Sequence, residues 1–543
     1  MIQRKTDVLI VGAGGAACRA AIAAADAGSK VLIATKKPIG VAGATTFPVA
    51  EMAGYNAGDP NVPGDIEKHY QDIVMAGGGM ADERLAKILA EQAPETITTL
   101  EEWGVEYEHV EDDYYIFQSC FSNWPRTHVI KGHGEPIVNA MAKQIAVRPQ
   151  ISCMDNLTIT ELIVRDGRCQ GAFGWVTNED GSVEEVRIAA GAVILAAGGA
   201  CQAFERNMNP TDVSGDGYAL AKAVGAEFVN MEFMQSGLGF SYPIINMFNA
   251  YIWLGLPELT NKDGEAFLAK YLPEGLTPAD VMREHRKHFP FSSSDISRYL
   301  EISVQKELLA GNGTENRGVY VDLRKMTDEY VASLPDDCGI HHMWYIARDF
   351  MRSRGVDLLS QTAEICCFAH AINGGVKIDE NAGTTVPGLY AAGENAGGPH
   401  GADRLGGNMM VTCQVFGKIA GEAAAKWATM HSVDEEALPT ESSDRIQELL
   451  KKRVDVESLL ARLRYENQRK LLVCRTKAGL EDVLANAKML EEEIMAAPVG
   501  DGISLDNFRL QSLIDSTVLM ATAAKAREKS CGSHYREDDV TMK

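Results

Sequence analysis

Apolar positions along the chain fall into two rhythms. Asp7-Val8-Leu9-Ile10-Val11 is a short, continuous apolar run rich in β-branched residues, the pattern of a strand buried on both faces. It runs into Gly12-Ala13-Gly14-Gly15-Ala16-Ala17, after which an alanine-dominated helix continues to about Ala27, with Gly28 as its C-terminal stop. Lys30-Val31-Leu32-Ile33-Ala34 is the second strand of this β-α-β unit. The buried-strand pattern recurs at Gly191 to Ala196, leading into Ala197-Gly198-Gly199, and a third glycine-punctuated block runs from Gly388 to Gly417. Three such blocks so far apart predict an α/β fold with one nucleotide-binding domain, residues 1–234 and 356–430, interrupted by an insertion. Residues 235–355 are richer in aromatics and poorer in β-α alternation, which predicts an inserted α+β capping domain. After Trp427, the polar segment from Asp434 to Asp444 reads as a linker ending in a helix N-cap. Helical apolar spacing over Arg445 to about Arg464, Thr476 to about Ala496 and Leu505 to about Lys529 predicts a C-terminal bundle of about three helices within residues 440–543.

Composition narrows the class. The chain has 543 residues, 45% hydrophobic and 23% charged, an ordinary globular mixture with material for more than one core. Its 52 basic and 75 acidic residues give a net charge of −23, which opposes nucleic acid and anionic membrane as broad partners. No run of about eighteen apolar residues suggests a membrane span, and Met1-Ile2-Gln3-Arg4-Lys5 carries no signal-peptide pattern. Eleven cysteines, an odd count without a Cys-x-x-Cys pair, argue against a disulfide framework or a self-contained iron–sulfur cluster. A reduced, cytoplasmic setting is expected.

Gly12-x-Gly14-x-x-Ala17 carries the first specific chemistry. The first glycine allows a tight turn, and the second lets the backbone approach a pyrophosphate. The small third residue permits close helix–strand packing, and the helix N-terminus faces the anion. The pattern sits between a predicted strand and helix, as a Rossmann-like site requires. The acidic residue that would bind a ribose hydroxyl about twenty positions on is absent, and Ala34-Thr35-Lys36 stands there instead. From this loop alone FAD, NAD and NADP all remain open.

The block Gly388-Leu389-Tyr390-Ala391-Ala392-Gly393-Glu394, followed by His400-Gly401-Ala402-Asp403-Arg404-Leu405-Gly406-Gly407-Asn408, closely resembles the FAD-binding signature of the fumarate reductase/succinate dehydrogenase flavoprotein family, whose relatives include L-aspartate oxidase and the adenylylsulfate reductase flavoprotein. Ser214-Gly215-Asp216-Gly217 resembles that family's (T/S)-G-D-G turn, and Met231-Glu232-Phe233 its entry to the capping domain. The tail from Arg527 to Arg536 is similar to its R-x-E-S-R-G-x-H-x-R ending, so the resemblance spans essentially the whole chain.

The resemblance implies FAD as cofactor, and residue chemistry is consistent with it. Gly12, Gly14, Gly15 and Ala16 would cradle the phosphates, with Thr35 and Lys36 at the end of the second strand and Ala197 and Gly198 after the third. Glu394 can accept hydrogen bonds from ribityl or ribose hydroxyls. Asp216 would hold the cofactor's polar arm; an Asx turn beside two glycines is the alternative. The backbone amides of Asn408, Met409 and Met410, opening a helix, can stabilise negative charge on a reduced flavin. Respiratory members bond the flavin through a histidine in an R-S-H-T segment. The matching stretch here, Pro38 to Thr46 with Gly43, Ala44 and Thr45, has none, so non-covalent FAD is expected.

The resemblance also sets the catalytic candidates. His370 in Ala369-His370-Ala371-Ile372-Asn373-Gly374-Gly375 resembles the H-x-x-x-G-G histidine, and Arg404 the arginine of R-L-G-x-N. Arg404 offers a permanent charge and a bidentate fork to a substrate carboxylate or carbonyl, and His370 a hydrogen bond to the same group; satisfying a backbone group near the flavin is the alternative role for His370. Other equipment differs. In Gln235-Ser236-Gly237-Leu238-Gly239, Gly237 replaces the second histidine of Q-F-H-P-T, and Trp253 to Glu258 lacks the charged loop. The proton-donor arginine of G-P-R-D-x-V-S-R aligns on Ser293, leaving Arg298 as a substitute acid. Phe240, Tyr242, Ile244, Phe248, Tyr251 and Trp253 are pocket or core candidates. Cys366-Cys367 is either a redox pair or two buried strand cysteines. His341-His342 reads as ordinary surface, and His128 and His133 as polar loop. The resulting expectation is a cytoplasmic FAD-dependent reductase or dehydrogenase. It would move hydride between flavin and a C–C or C–N bond beside a carbonyl or carboxylate, with fumarate itself not expected as substrate. The alternative is an electron-transfer subunit with a separate iron–sulfur partner.

Overall fold

The computed structural model describes residues 1–47, 50, 52–336 and 339–542. The first strand, Ile2–Val11, ends in four fully buried positions, Val8 to Val11. It lies between two parallel neighbours, pairing Val8 with Val31 on one side and with Ala192 on the other. The sheet runs in the order 151–154, 31–34, 2–11, 183–195, 168–177, 157–165, and Leu389–Ala391 adds in parallel beside the end of 183–195. The long strand Val183–Leu195 thus joins a parallel half to an antiparallel flank. Its continuous apolar end is what a strand covered on both faces requires.

Helix Gly15–Asp26 is buried at eleven positions, Gly15 to Ala25, because it lies between the sheet and helix Asn408–Met430. Alanines and glycines let the two helix backbones close up. A Cβ on Gly421 would stand 2.3 Å from the Ala20 carbonyl oxygen, and one on Gly417 would stand 2.9 Å from that of Ala16.

The cap is built on a five-stranded sheet in the order 246–247, 234–242, 363–372, 319–322, 258–260. The expected return to the nucleotide-binding body at residue 356 therefore comes too early. Strand Ala363–Ile372 pairs antiparallel with Met234–Tyr242, from Met234 opposite Ile372 to Tyr242 opposite Glu364, and is a central cap strand. Composition misplaced this boundary because apolar content follows burial, and this strand is as buried as those of the main sheet. The aromatic candidates mostly form the cap's core. Phe240, Phe248 and Trp253 are buried and pack as tilted rings at 5.0 and 4.5 Å between ring centres, whereas Tyr242 is exposed.

The C-terminal unit has four helices, 444–451, 456–470, 477–496 and 505–526, rather than three. The first expected helix breaks at Lys452–Asp455, where Asp455 accepts the Ser458 N–H at 3.2 Å and starts a new helix. The tail buckles this unit onto the cap entry. Arg527 Nε donates to Glu232 Oε1 at 2.6 Å, and Arg475 Nη1 donates to the Glu232 carbonyl at 2.7 Å while lying 2.6 Å from His534 Nδ1.

Gly421→Val forces a side chain into the helix–helix contact and is expected to destabilise the chain by about 1–3 kcal/mol. A urea midpoint for loss of helical signal equal to that of the parent would contradict this packing account.

Candidate functional site

A cavity of about 280 Å³ opens at the C-terminal ends of the parallel strands, the usual binding edge of such sheets. Fifteen of the sixteen expected cofactor residues, from Gly12 through Met410, lie on its wall; Asn408 is the exception. Gly12 has φ +116°, and a Cβ there would stand 2.3 Å from the Ala196 carbonyl oxygen, so the turn admits only glycine. The Gly15 N–H donates to Thr45 Oγ1 at 3.3 Å, which ties the glycine turn to the loop Gly43 to Thr45. That loop is held in turn by Asp212, which accepts the Gly43 N–H at 2.8 Å and pairs with Lys37 Nζ at 2.7 Å. Lys36 pairs with the Asp216 carboxylate and donates to Ser214 Oγ at 2.9 Å, placing one cation and one anion on the same wall.

Asn395 is a positioning residue that the sequence reading missed. Its Oδ1 accepts the Ala197 N–H at 2.6 Å and its Nδ2 donates to the Gly198 carbonyl at 2.7 Å, which fixes the loop after the third strand. Glu394 accepts the Ile372 N–H at 2.9 Å, and Gly199 leaves room for its carboxyl group. Burial pushes the Glu394 pKa up to about 7. Helix Asn408–Met430 begins at the wall with Met409 and Met410 facing the cavity. The Asn408 side chain turns away, accepting Asn56 Nδ2 at 2.9 Å and lying 3.1 Å from His69 Nε2, so only its backbone serves the helix N-terminus. His133, expected as an ordinary polar-loop residue, is also on the cavity wall, with a buried Nδ1 that has no partner among the described residues.

A second cavity of about 180 Å³ adjoins the first and shares His370, Arg404, Met52, Gly54, Met247 and Gly407 with it. Arg404 is buried at this seam. Its Nε donates to Gln235 Oε1 at 3.0 Å and its Nη1 to the Leu405 carbonyl at 2.9 Å, leaving Nη2 without a partner among the described residues. Gln235, wholly buried on the cap strand, thereby fixes an arginine of the other domain. Burial, and then the adjacent Arg404 charge, lower the His370 pKa to about 3, so the ring is neutral at physiological pH. His370 Nδ1 is buried without a partner among the described residues. The position of the absent second histidine is filled: a Cβ on Gly237 would stand 2.8 Å from the Phe289 ring, which packs edge-to-face on His370 at 5.4 Å.

Two of the four catalytic candidates are not brought to the site. Ser293 and Arg298 line neither cavity. The Ser293 N–H is committed to the Gly532 carbonyl at 2.7 Å, because the C-terminal tail packs there. Arg298 donates to the Asp295 carbonyl at 2.8 Å and lies over the Tyr299 ring at 4.8 Å, satisfied within its own turn. The cap cations that do line the second cavity are Arg286 and Lys287, which the family pattern gave no reason to select. Of the cap aromatics singled out in the sequence, only Tyr251 reaches that wall. Cys366 and Cys367 are buried strand cysteines. Burial raises Cys366 to about 12 and Cys367 well above its usual value, which suppresses thiolate chemistry. The His341 ring lies 2.8 Å from the Leu334 carbonyl, and His128 is buried in strand Thr127–Ile130.

A glycine cradle at a helix N-terminus, a lysine–aspartate pair along the wall, and a neutral histidine beside an arginine with a free N–H define a dinucleotide site with a reactive edge under a cap. The first cavity fits FAD on these grounds: the cradle tolerates no Cβ at Gly12, and His370 Nδ1 and Arg404 Nη2 have polar capacity left at the seam. Residues 7–410 match the FAD binding domain family, and residues 461–542 match the fumarate reductase flavoprotein C-terminal family. The chain is 32% identical over 540 residues to an uncharacterized FAD-dependent oxidoreductase of Methanocaldococcus jannaschii, covering 98% of this chain and 94% of that one. It is also 32% identical over 553 residues to a fumarate reductase (CoM/CoB) subunit of Methanothermobacter marburgensis, with the same coverage of 98% and 94%. Among solved structures it superposes on Mycobacterium smegmatis Sdh1 in complex with UQ1 with a TM-score of 0.81 and 26% identity, covering 99% of this chain and 90% of that one. On a quinol-fumarate reductase with menaquinol molecules the values are 0.82, 25%, 99% and 93%. The chain belongs to the FAD-binding fumarate reductase/succinate dehydrogenase flavoprotein family, and it is an FAD-dependent oxidoreductase of that type. No helix among the described residues is long and apolar enough to cross a membrane.

Glu394 gives a pH prediction for the chain stripped of cofactor. Its pKa is raised from 4.5 to about 7, so the fold favours the neutral acid, and this stabilisation is complete below pH 4.5 and lost as pH rises through 7. Glu394→Gln stays neutral throughout, so its urea midpoint should rise relative to the parent between pH 4.5 and pH 7. A constant difference across that range would contradict the burial assignment.

Proposed function

We propose that this flavoprotein moves hydride between FAD and a substrate C–C or C–N bond lying next to a carbonyl or carboxylate, and that fumarate is not its efficient substrate. The observation that carries this reading is the seam at which His370 and Arg404 belong to both cavities. When bound, FAD supplies the two-electron hydride chemistry. Gly12 to Ala16, Lys36, Asp216 and Glu394 hold the cofactor, and the amides of Asn408, Met409 and Met410 face its reactive end. Arg404, oriented by Gln235, directs Nη2 at a substrate oxygen and stabilises negative charge that develops there. His370, neutral, adds a hydrogen bond to the same group. Phe289 in the space of a second carboxylate-binding histidine removes a clamp for fumarate's second carboxylate, and neither Ser293, which stands where the family's proton-donor arginine would, nor the substitute acid Arg298 lines either cavity.

The cofactor is held without a covalent bond in this reading, supported by the absence of histidine from Pro38 to Thr46. Acid precipitation should release a yellow supernatant. Flavin remaining in the pellet would overturn this and direct attention to His133 on the cavity wall.

A second reading, an electron-transfer subunit working with a separate iron–sulfur protein, is favoured by one observation: several relatives are named as subunits, including the fumarate reductase flavoprotein subunit of Haemophilus influenzae, 28% identical over 561 residues. Co-purification of an iron–sulfur chain from the native source supports it, and full flavin reduction by NAD(P)H alone supports a stand-alone enzyme.

Arg404→Ala should retain flavin but lose turnover by about 10²–10³-fold, the scale of removing one charge-stabilising donor. Anaerobic mixing of reduced parent protein with fumarate should give slow flavin reoxidation in stopped flow. Many turnovers per second, with equimolar succinate, would refute the exclusion of fumarate.

A further inference from the structure

Beyond the seam, the second cavity is mostly apolar. Phe117, Tyr251, Phe289, Pro290 and Met343 are on its wall, and among the described residues no aspartate or glutamate is. Phe289 is held from both sides, by a bond from its own N–H and by a strand bridge just after it. Its N–H donates to Cys120 Sγ at 3.0 Å, and the antiparallel bridge of Pro290 to Gly237 carries the bond from the Phe291 N–H to the Ser236 carbonyl at 2.7 Å. The ring therefore stands where a polar side chain from position 237 would project, and it presents carbon to the ligand next to His370.

One end of a ligand in this cavity meets Arg404 Nη2 and neutral His370, which suits one carboxylate or one carbonyl oxygen. The two other cations on the wall are already engaged. Lys287 Nζ pairs with Glu284 Oε1 at 2.6 Å and is more than half exposed, and Arg286 donates to the Arg283 carbonyl at 3.5 Å. The neutral polar groups Gln118, Ser119 and Thr127 on the wall already donate to the Ser122 carbonyl, the Gly406 carbonyl and Asn56 Oδ1, so a second carboxylate would shed its water for little charge in return, a cost that an apolar group against Phe289 and Tyr251 avoids.

We infer that the substrate is a monocarboxylate, or a carbonyl compound of the same shape, whose far end is an apolar or aromatic group seated against Phe289 and Tyr251. This rests on the reading of Arg404 and His370 as the substrate-polarising pair. In an unsaturated acid of this class, reduction breaks the C=C π bond. Hydride leaves the reduced flavin with its two electrons and adds at the β carbon, solvent water supplies the proton that adds at the α carbon, and one saturated acid forms per flavin reoxidised.

The oxidised holoenzyme titrated with 3-phenylpropanoate, propanoate and succinate, followed by the flavin difference spectrum and by calorimetry, tests the class without turnover. 3-Phenylpropanoate should bind at least tenfold more tightly than either of the others. Phe289→Ala should weaken 3-phenylpropanoate about tenfold and leave propanoate unchanged, and Phe289→Leu should fall between, with full flavin occupancy reporting an intact fold. Equal or tighter binding of succinate, or a selectivity unmoved by both Phe289 variants, would overturn the inference. Reoxidation of the anaerobically reduced enzyme separates the two levels. Reoxidation by 3-phenylpropenoate but not by fumarate supports both. Fast reoxidation by fumarate alone retains hydride transfer to a C–C bond and overturns the substrate class. Failure of every enoate, enone and imine to reoxidise the flavin overturns the proposed hydride transfer to C–C and C–N bonds as well.

Discussion

A buried guanidinium organises this molecule's chemistry. Arg404 lies at the seam between the nucleotide-binding body and the cap, where desolvation disfavours its charge and no carboxylate makes a salt bridge with it among the described residues. It is retained because Gln235 accepts from Nε and the Leu405 carbonyl accepts from Nη1, which converts a costly charge into a directed one. Its effects spread outward. It helps keep His370 neutral, and it partly offsets the burial that raises Glu394. Gln235 and Arg404 come from different domains, so the geometry of the seam depends on how the cap sits on the body.

That placement is set mechanically. The antiparallel pair of Met234–Tyr242 and Ala363–Ile372 leaves and re-enters the body side by side, and the C-terminal tail clamps its base through the Arg527–Glu232 pair, with Arg475 joining the Glu232 carbonyl to the tail's His534. The same tail engages Ser293 through Gly532. The tail is thus a structural strap on the cap.

Much of this was legible in the sequence because it depends on local rules. The glycine turn after Val11, the alanine helix and the strand at Val31 follow from periodicity and from the absence of Cβ, and the cavity wall contains nearly every residue chosen on that basis. What escaped was long-range. Strand Ala363–Ile372 joins the cap sheet through pairing, which composition does not encode. Asn395 holds the loop at Ala197 across about two hundred residues with an amide that looks like any other. Asn408 opens the helix its pattern predicts, but its side chain serves Asn56 and is absent from the cavity wall. Ser293 was chosen by aligning a departed pattern, and the tail that captures it is more than two hundred residues away. Gly237 registered as a missing histidine, and only the fold shows that Phe289 has taken its space.

The most direct test of the seam is a crystal structure of the holoprotein grown with 3-phenylpropanoate. The account places the ligand carboxylate on Arg404 Nη2 and His370, its ring on Phe289, and the intervening carbons in the passage between the two cavities. A carboxylate bound instead to Arg286 and Lys287, with Arg404 still bonded only to Gln235 and Leu405, would contradict it.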